Sequence, residues 1–197
     1  MNRFSADIDD MKRVFVILIV CMAMLSSMEA HAQRFSVSTN LLGYACLGTL
    51  NAEGAVSLSQ KWSVVAGVRY NPFSFRKETP QKQFQLRQQS YCIGARLWPW
   101  HTWSGWWFSG KLRYQEYNFG GIVSSVTEEG DRFGAGVYTG YTHMLSPHLN
   151  IEFGIGMWGG VDMYRRYSCQ VCGETVGVGK RYFLFPDDIM ISLVYVF

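Results

Sequence analysis

Leu149-Asn150-Ile151-Glu152-Phe153-Gly154-Ile155-Gly156-Met157 is the stretch whose reading decides the fold. Leu149, Ile151, Phe153, Ile155 and Met157 take every second position, and Asn150, Glu152, Gly154 and Gly156 take the others. Successive side chains of an extended strand point to opposite faces, so this period makes one face greasy and the other polar or small. A soluble sandwich also alternates, but it hides the apolar face and puts charge on the outward one. Here the greasy face is free of charge, and the charge sits among glycine and asparagine. That arrangement suits lipid outside and a polar lumen inside.

The pattern recurs along the chain. Ile189, Ile191, Leu193, Tyr195 and Phe197 alternate with Asp188, Met190, Ser192, Val194 and Val196. Trp62, Val64, Ala66, Val68 and Tyr70 alternate with Ser63, Val65, Gly67, Arg69 and Asn71. Tyr91, Ile93, Ala95 and Leu97 stand opposite Cys92, Gly94, Arg96 and Trp98. From Trp106 to Gln115 an apolar set alternates with Ser109, Lys111, Arg113 and Gln115. With the weaker segments 35–44, 53–59 and 133–143 the count reaches about eight, each near the roughly 9–11 residues of a tilted membrane-crossing strand. The expected fold is all-β: an eight-stranded antiparallel up-and-down transmembrane β-barrel over residues 33–197, in one domain.

Ahead of the barrel the sequence predicts a signal peptide. Lys12 and Arg13 precede an apolar run from Val14 to Leu25, and Ala30-His31-Ala32 places small residues where a signal peptidase reads. Cleavage is expected between Ala32 and Gln33, and the residues before Met11 read as an over-called start. The run falls well short of the roughly 20 residues of a spanning helix. Cys21 follows Val20 rather than a small residue, so lipidation is not expected. The leader holds 3 of the 18 Lys/Arg and 4 of the 15 Asp/Glu, which leaves 15 against 11, scattered along the chain. Such a spread does not suggest nucleic acid.

Turn lengths give an orientation, because outer-membrane barrels have short periplasmic turns and longer outer loops. Gln60-Lys61, His101–Gly105 and Ser146-Pro147-His148 are short. Arg76–Gln85, Ser124–Asp131 and Cys169–Lys180 are long, with a modest loop near Gly48–Asn51. Aromatic residues favour membrane interfaces, so Trp62, Trp98, Trp100, Trp103, Trp106 and Trp107 are expected in a girdle at the short-turn end. Tyr70, Phe73, Phe75, Tyr117, Phe119, Tyr164, Tyr167, Tyr182, Phe183 and Phe185 are expected at the other. Leu193, Tyr195 and terminal Phe197 resemble the C-terminal signal read by the outer-membrane assembly machinery.

Seven pieces in order then resemble the Bacteroidetes outer-membrane barrel family called domain of unknown function 3575. They are Thr39-Asn40-Leu41-Leu42, Lys61-Trp62-Ser63, Tyr70-Asn71-Pro72, Tyr117-Asn118-Phe119-Gly120-Gly121-Ile122, Asn150-Ile151-Glu152-Phe153-Gly154, Tyr167-Ser168-Cys169-x-x-Cys172-Gly173 and Ile191-Ser192-Leu193-Val194-Tyr195. Cys46, Cys92 and the Trp-rich stretch depart from the family pattern. The resemblance implies a protein of unassigned activity, with an association with cell-surface or fimbrial proteins, and transfers no functional residue.

Candidate sites are few. Cys169 and Cys172 sit in the last long loop, where a stapling disulfide is the expectation and metal or a labile redox pair are the alternatives; neither a second cysteine pair nor histidines accompany them. Cys46 and Cys92 lie on strands that would not be neighbours and are expected as buried free thiols. Glu53, Arg69, Arg96, Lys111, Arg113, Glu152 and Asp188 face the lumen, which in an eight-stranded barrel is just wide enough for side chains to fill. They are expected to neutralise one another rather than line an ion path. His101, His143 and His148 all fall toward the short-turn end, and His143 with Ser146 is the best catalytic pair on offer. A lipid A acylase or deacylase is therefore the alternative. The leading expectation is an outer-membrane barrel with a structural or surface-interaction role, with outer-membrane lipid around it, outer loops exposed, no pore, no catalysis and no cofactor.

Overall fold

Among the described residues nine strands follow one another: β1 (Phe35–Asn40), β2 (Leu50–Ser57), β3 (Trp62–Asn71), β4 (Ser74–Phe75), β5 (Phe84–Leu97), β6 (Gly105–Gly120), β7 (Thr127–Met144), β8 (Leu149–Tyr167) and β9 (Thr175–Val196). One short helix, α1 (Leu41–Ala45), follows β1. The computed structural model describes residues 33–45, 48–75, 84–120, 126–168 and 174–197. The predicted signal peptide, Cys46, and Cys169 with Cys172 lie outside the described residues.

Consecutive strands pair antiparallel except β3 and β4, β3 joins β5 directly, and β9 returns to β1. Eight strands thus close into a barrel, and β4 is an extra strand against the end of β5. The alternation is realised as read. Val137 (71% exposed), Ile189 (71%), Ile155 (62%) and Leu112 (53%) face outward. Ser63, Lys111, Glu152 and Ser192 are buried inside. On β6 the outward run Trp106, Phe108, Gly110, Leu112, Tyr114 ends at Glu116. On β7 the run from Tyr141 to Phe133 ends at Asp131, which is paired with Glu116.

The strands are far less uniform than expected. β1 to β3 have 6, 8 and 10 residues, whereas β5 to β9 have 14, 16, 18, 19 and 22. Within 124–131 and 169–180, read as loops from the sequence, Thr127–Asp131 and Thr175–Lys180 are ladder: Thr127–Asp131 pairs with Tyr167–Met163, and β9 begins at Thr175. On β6, β7 and β8, beyond the Glu116–Asp131 pair, both faces carry polar groups. The period-two hydrophobicity that signals a strand vanishes there while the backbone ladder continues. At the other extreme the predicted strand 35–44 stops at Asn40. Its side-chain Oδ1 accepts the Leu42 N–H at 3.1 Å and turns the chain into α1.

The expected tryptophan girdle is half wrong. Trp62, Trp100 and Trp106 are outward at 49%, 68% and 51% exposure, but Trp98, Trp103 and Trp107 are buried inside the barrel. They pack with Val65, Val194, Val196, Ala55 and Met190 into an apolar plug at the short-turn end. Trp98 and Trp103 meet edge to face with centroids 5.7 Å apart. Trp103 adopts φ 70°, a left-handed conformation that costs a bulky residue about 1–2 kcal/mol. Packing against Trp98 and a 3.1 Å hydrogen bond from Asn150 Nδ2 to the Trp103 carbonyl hold it there. Tyr117 and Phe183, expected in the opposite girdle, are likewise buried.

Candidate functional site

Above the plug lies a band of charge. Arg96 donates from Nη1 to both Glu152 oxygens at 3.0 and 3.2 Å, and from Nη2 to Glu53 Oε1 at 2.7 Å. Lys111 pairs with the other Glu53 oxygen, and Thr142 Oγ1 donates to Glu152 at 2.9 Å. Arg96 also lies 4.2 Å over the Trp107 ring, Lys111 is 5.0 Å over Tyr138, and Arg113 is 5.1 Å over Trp158. Ring faces attract cations, so part of the positive charge is held by aromatics rather than by carboxylates. Space for these rings comes from inward glycines: a Cβ at Gly156 would lie 2.0 Å from Tyr138, and one at Gly140 2.5 Å from Trp107.

Toward the long-loop end a second cluster forms on the tall strands. Tyr117 donates to Asp162 at 2.8 Å or to Glu128 at 3.0 Å. Arg181 Nε donates to Asp162 at 2.8 Å and Nη2 pairs with Glu128, while Arg166 Nε donates to Glu128 at 2.8 Å. Arg132 stacks 3.8 Å over Tyr117, and its Nε, 3.3 Å from Asp162, attracts that carboxylate without the alignment of a hydrogen bond. Partial burial opposes the ionised form of Glu128, but hydrogen bonds from Arg166, Arg181 and Tyr117 outweigh it and hold the carboxyl below its ordinary value. Burial and the Asp162 hydrogen bond push the Tyr117 phenol up.

Next to this cluster, at the height of Asn71, Gln88, Tyr117, Gly130, Tyr164 and Gly179, the lumen widens into a cavity of about 630 Å³. Deeper in, between Glu53, Arg69, Cys92 and Arg96, the space is about 30 Å³. That is on the scale of a single water molecule. The barrel is filled at one end and open at the other.

Of the residues singled out from the sequence, Glu53, Arg96, Lys111 and Glu152 form one network. Arg69 borders it, and Arg113 joins it through rings. Asp188 lies in β9, with its side chain outside the described residues. Leu193 and Tyr195 share the outward face of β9, and Phe197, just past its end, meets Tyr195 edge to face at 4.9 Å. Cys92 is a free thiol, half-buried rather than fully buried. His148 stacks on Tyr195, and His143 is outward on β7. Asp162, Arg132, Glu128, Arg166 and Arg181 were missed: Glu128 fell in a segment read as loop, Arg132 between that loop and the strand 133–143, and the others past Met157. A signal was present: Trp158, Gly160 and Asp162 continue the parity of Glu152.

No curated protein matches the chain. A family model described as "Protein of unknown function (DUF3575)" matches residues 15–197, nearly its whole length. The chain belongs to the DUF3575 family, in agreement with the motifs from Thr39-Asn40-Leu41-Leu42 to Ile191-Ser192-Leu193-Val194-Tyr195.

Proposed function

We propose that this chain is a bacterial outer-membrane β-barrel with a closed lumen, whose long-loop end is presented at the cell surface to a partner, without catalysis. One observation carries the reading: the outward face is apolar and the inward face is charged, the reverse of a water-soluble protein. On β6 the outward apolar run from Trp106 to Tyr114 measures about 20 Å along the barrel axis at the usual strand rise and tilt. This is close to the roughly 25 Å lipid-facing band of such barrels, and Trp106 with Tyr141 at one limit and Tyr114 at the other place aromatics at both interfaces.

β9, with 22 residues, rises about 50 Å at the same tilt, so the tall strands stand well clear of the lipid. Outer-membrane lipid is then the solvent of the belt, the assembly machinery reads the Leu193, Tyr195, Phe197 face, and cell-surface or fimbrial proteins are the partners the overhanging end would meet. The test is single-cysteine labelling in a background lacking the native cysteines. Glu129→Cys and Thr175→Cys should react with an impermeant reagent on intact cells, and Lys61→Cys and Pro147→Cys only after lysis. The reverse pattern would overturn the orientation. Labelling of all four only after lysis would overturn the surface reading.

A further inference from the structure

The wall that overhangs the belt is a sheet with an edge. β1 covers β9 only from Val196 to Ser192. One step further the Asn40 side chain stands in for a strand residue: its Oδ1 accepts the Ile191 N–H at 3.2 Å, and its Nδ2 donates to the Ile189 carbonyl at 3.4 Å. The chain then leaves β9 through α1. From Thr175 to Phe185, among the described residues, β8 lies on one side of β9 and no strand lies on the other.

That edge is not polar. Val176, Val178, Tyr182 and Leu184 are 64%, 69%, 86% and 67% exposed. Tyr182 and Leu184 lie in the rows of Tyr114 and Leu112, within the belt, whereas Val178 pairs with Arg165, which pairs with Glu129, so Val176 and Val178 carry the apolar strip past the charged row that ends it. It faces water there, and lipid does not explain it. Natural edges are blunted by lysine, proline or bulges, and an unblunted edge is a template for another strand. On this stretch a bulge at Val176 and Pro186 just past its end set the limits, and between them Gly177–Phe185 is regular ladder with Lys180, diagonal to Arg165, as its outward charge. Two copies meeting edge to edge near the middle of this stretch would bring one Lys180 close to the other, which disfavours self-pairing. A strand carrying a carboxylate opposite Lys180 would be favoured instead.

We propose that the Thr175–Phe185 edge of β9 is a strand-acceptor site for an extended segment of a partner protein, with apolar residues at alternate positions and an acidic residue set against Lys180. Main-chain hydrogen bonds supply the affinity of such strand addition, and alternate side chains supply its specificity. The proposal rests on the long-loop end being the surface end.

The test uses the full mature barrel in micelles, with two synthetic peptides that alternate Val and Thr around a central Glu or a central Lys. The Glu peptide should slow amide exchange along Thr175–Phe185 and bind roughly fivefold or more tighter than the Lys peptide. Lys180→Glu should reverse that order, while leaving the barrel's heat-modifiable gel mobility unchanged. Lack of protection by either peptide, or equal binding of both, would overturn the site. Edge amides that are protected without peptide in a concentration-dependent dimer would overturn it in favour of a second copy. If Thr175→Cys labels from outside and neither peptide binds, the acceptor site falls and the surface reading stands. If the peptides bind but Thr175→Cys labels only after lysis, the acceptor stands and the surface reading falls.

Discussion

At the short-turn end, Trp98, Trp103, Trp107, Val65, Val194 and Val196 fill the barrel as a soluble protein fills its core, each 0–2% exposed. At the long-loop end, Tyr117, Asp162, Glu128, Arg181 and Arg132 form a polar cluster beside a cavity of about 630 Å³. The same alternation thus builds two interiors. Where the outward face is uniformly apolar, the inside is packed, and its cations are shared between Glu53, Glu152 and aromatic rings; past the Glu116–Asp131 row the inside widens. The packing places the larger share of stability at the first end, and on the proposed reading a partner would be met at the second.

The sharpest way to break this comparison is to truncate one large side chain at each end. Trp107→Ala should cost about 3–5 kcal/mol, because the plug cannot refill the hole and the stacking of Arg96 is lost. Tyr117→Ala should cost about half as much, since water from the adjoining cavity can occupy the space. Urea-dependent loss of the folded gel band measures both. Equal costs would mean that the two ends are packed alike.

Charge removal should follow the same order. Glu152→Gln leaves Arg96, 3% exposed, with Glu53 alone, and should cost about 3 kcal/mol. Glu128→Gln breaks pairs with Arg166 and Arg181, whose side chains are 44% and 35% exposed, and should cost less than about 1 kcal/mol. A larger loss at Glu128 would put the structural keystone at the wrong end.

The contrast between the two faces of one strand comes next. Leu193 is outward and Ser192 is 6% exposed inside, bordering a space lined by Arg69, Arg96 and Arg113. Leu193→Asp should cost about 2 kcal/mol in a bilayer and leave unassembled protein in the periplasm. Ser192→Asp should be milder, because cations surround it. Equal tolerance would contradict the lipid-out reading.

How much of this was legible depended on what the two faces of each strand touch. The strand Leu149–Met157 was read correctly because its outward face is uniformly apolar, and Glu53, Arg96, Lys111 and Glu152 followed from parity alone. Thr127–Asp131 was lost as loop because polar residues on both faces erase the period, and Thr175–Lys180 because Gly177 and Gly179, alternating with Val176, Val178 and Lys180, read as turn residues. The position of Trp107 was misjudged for a different reason. A tryptophan near a strand end satisfies both an interfacial girdle and a core plug, and only the inward glycines opposite it, Gly140 and Gly154, mark the room it needs. The extra length of β5 to β9 follows from ladder hydrogen bonds, which carry no residue-type signature.

The smallest effect expected is a pH response confined to the open end. The Glu128 carboxyl is held below its ordinary value of 4.5 by Arg166, Arg181 and Tyr117, so its ionised form is bound more tightly in the folded barrel than in the unfolded chain. The stabilisation is fully present above pH 4.5 and is lost as pH falls below that value through the folded-state titration. Acidification through this window should therefore speed amide exchange in 126–132 and 162–168, while the segments around Trp98 and Trp107 stay protected. Glu128→Gln should flatten the response, since it removes the titrating group and keeps a hydrogen-bond acceptor for Tyr117. Loosening that begins at the plug, or that survives unchanged in Glu128→Gln, would show that the two interiors are coupled rather than independently built.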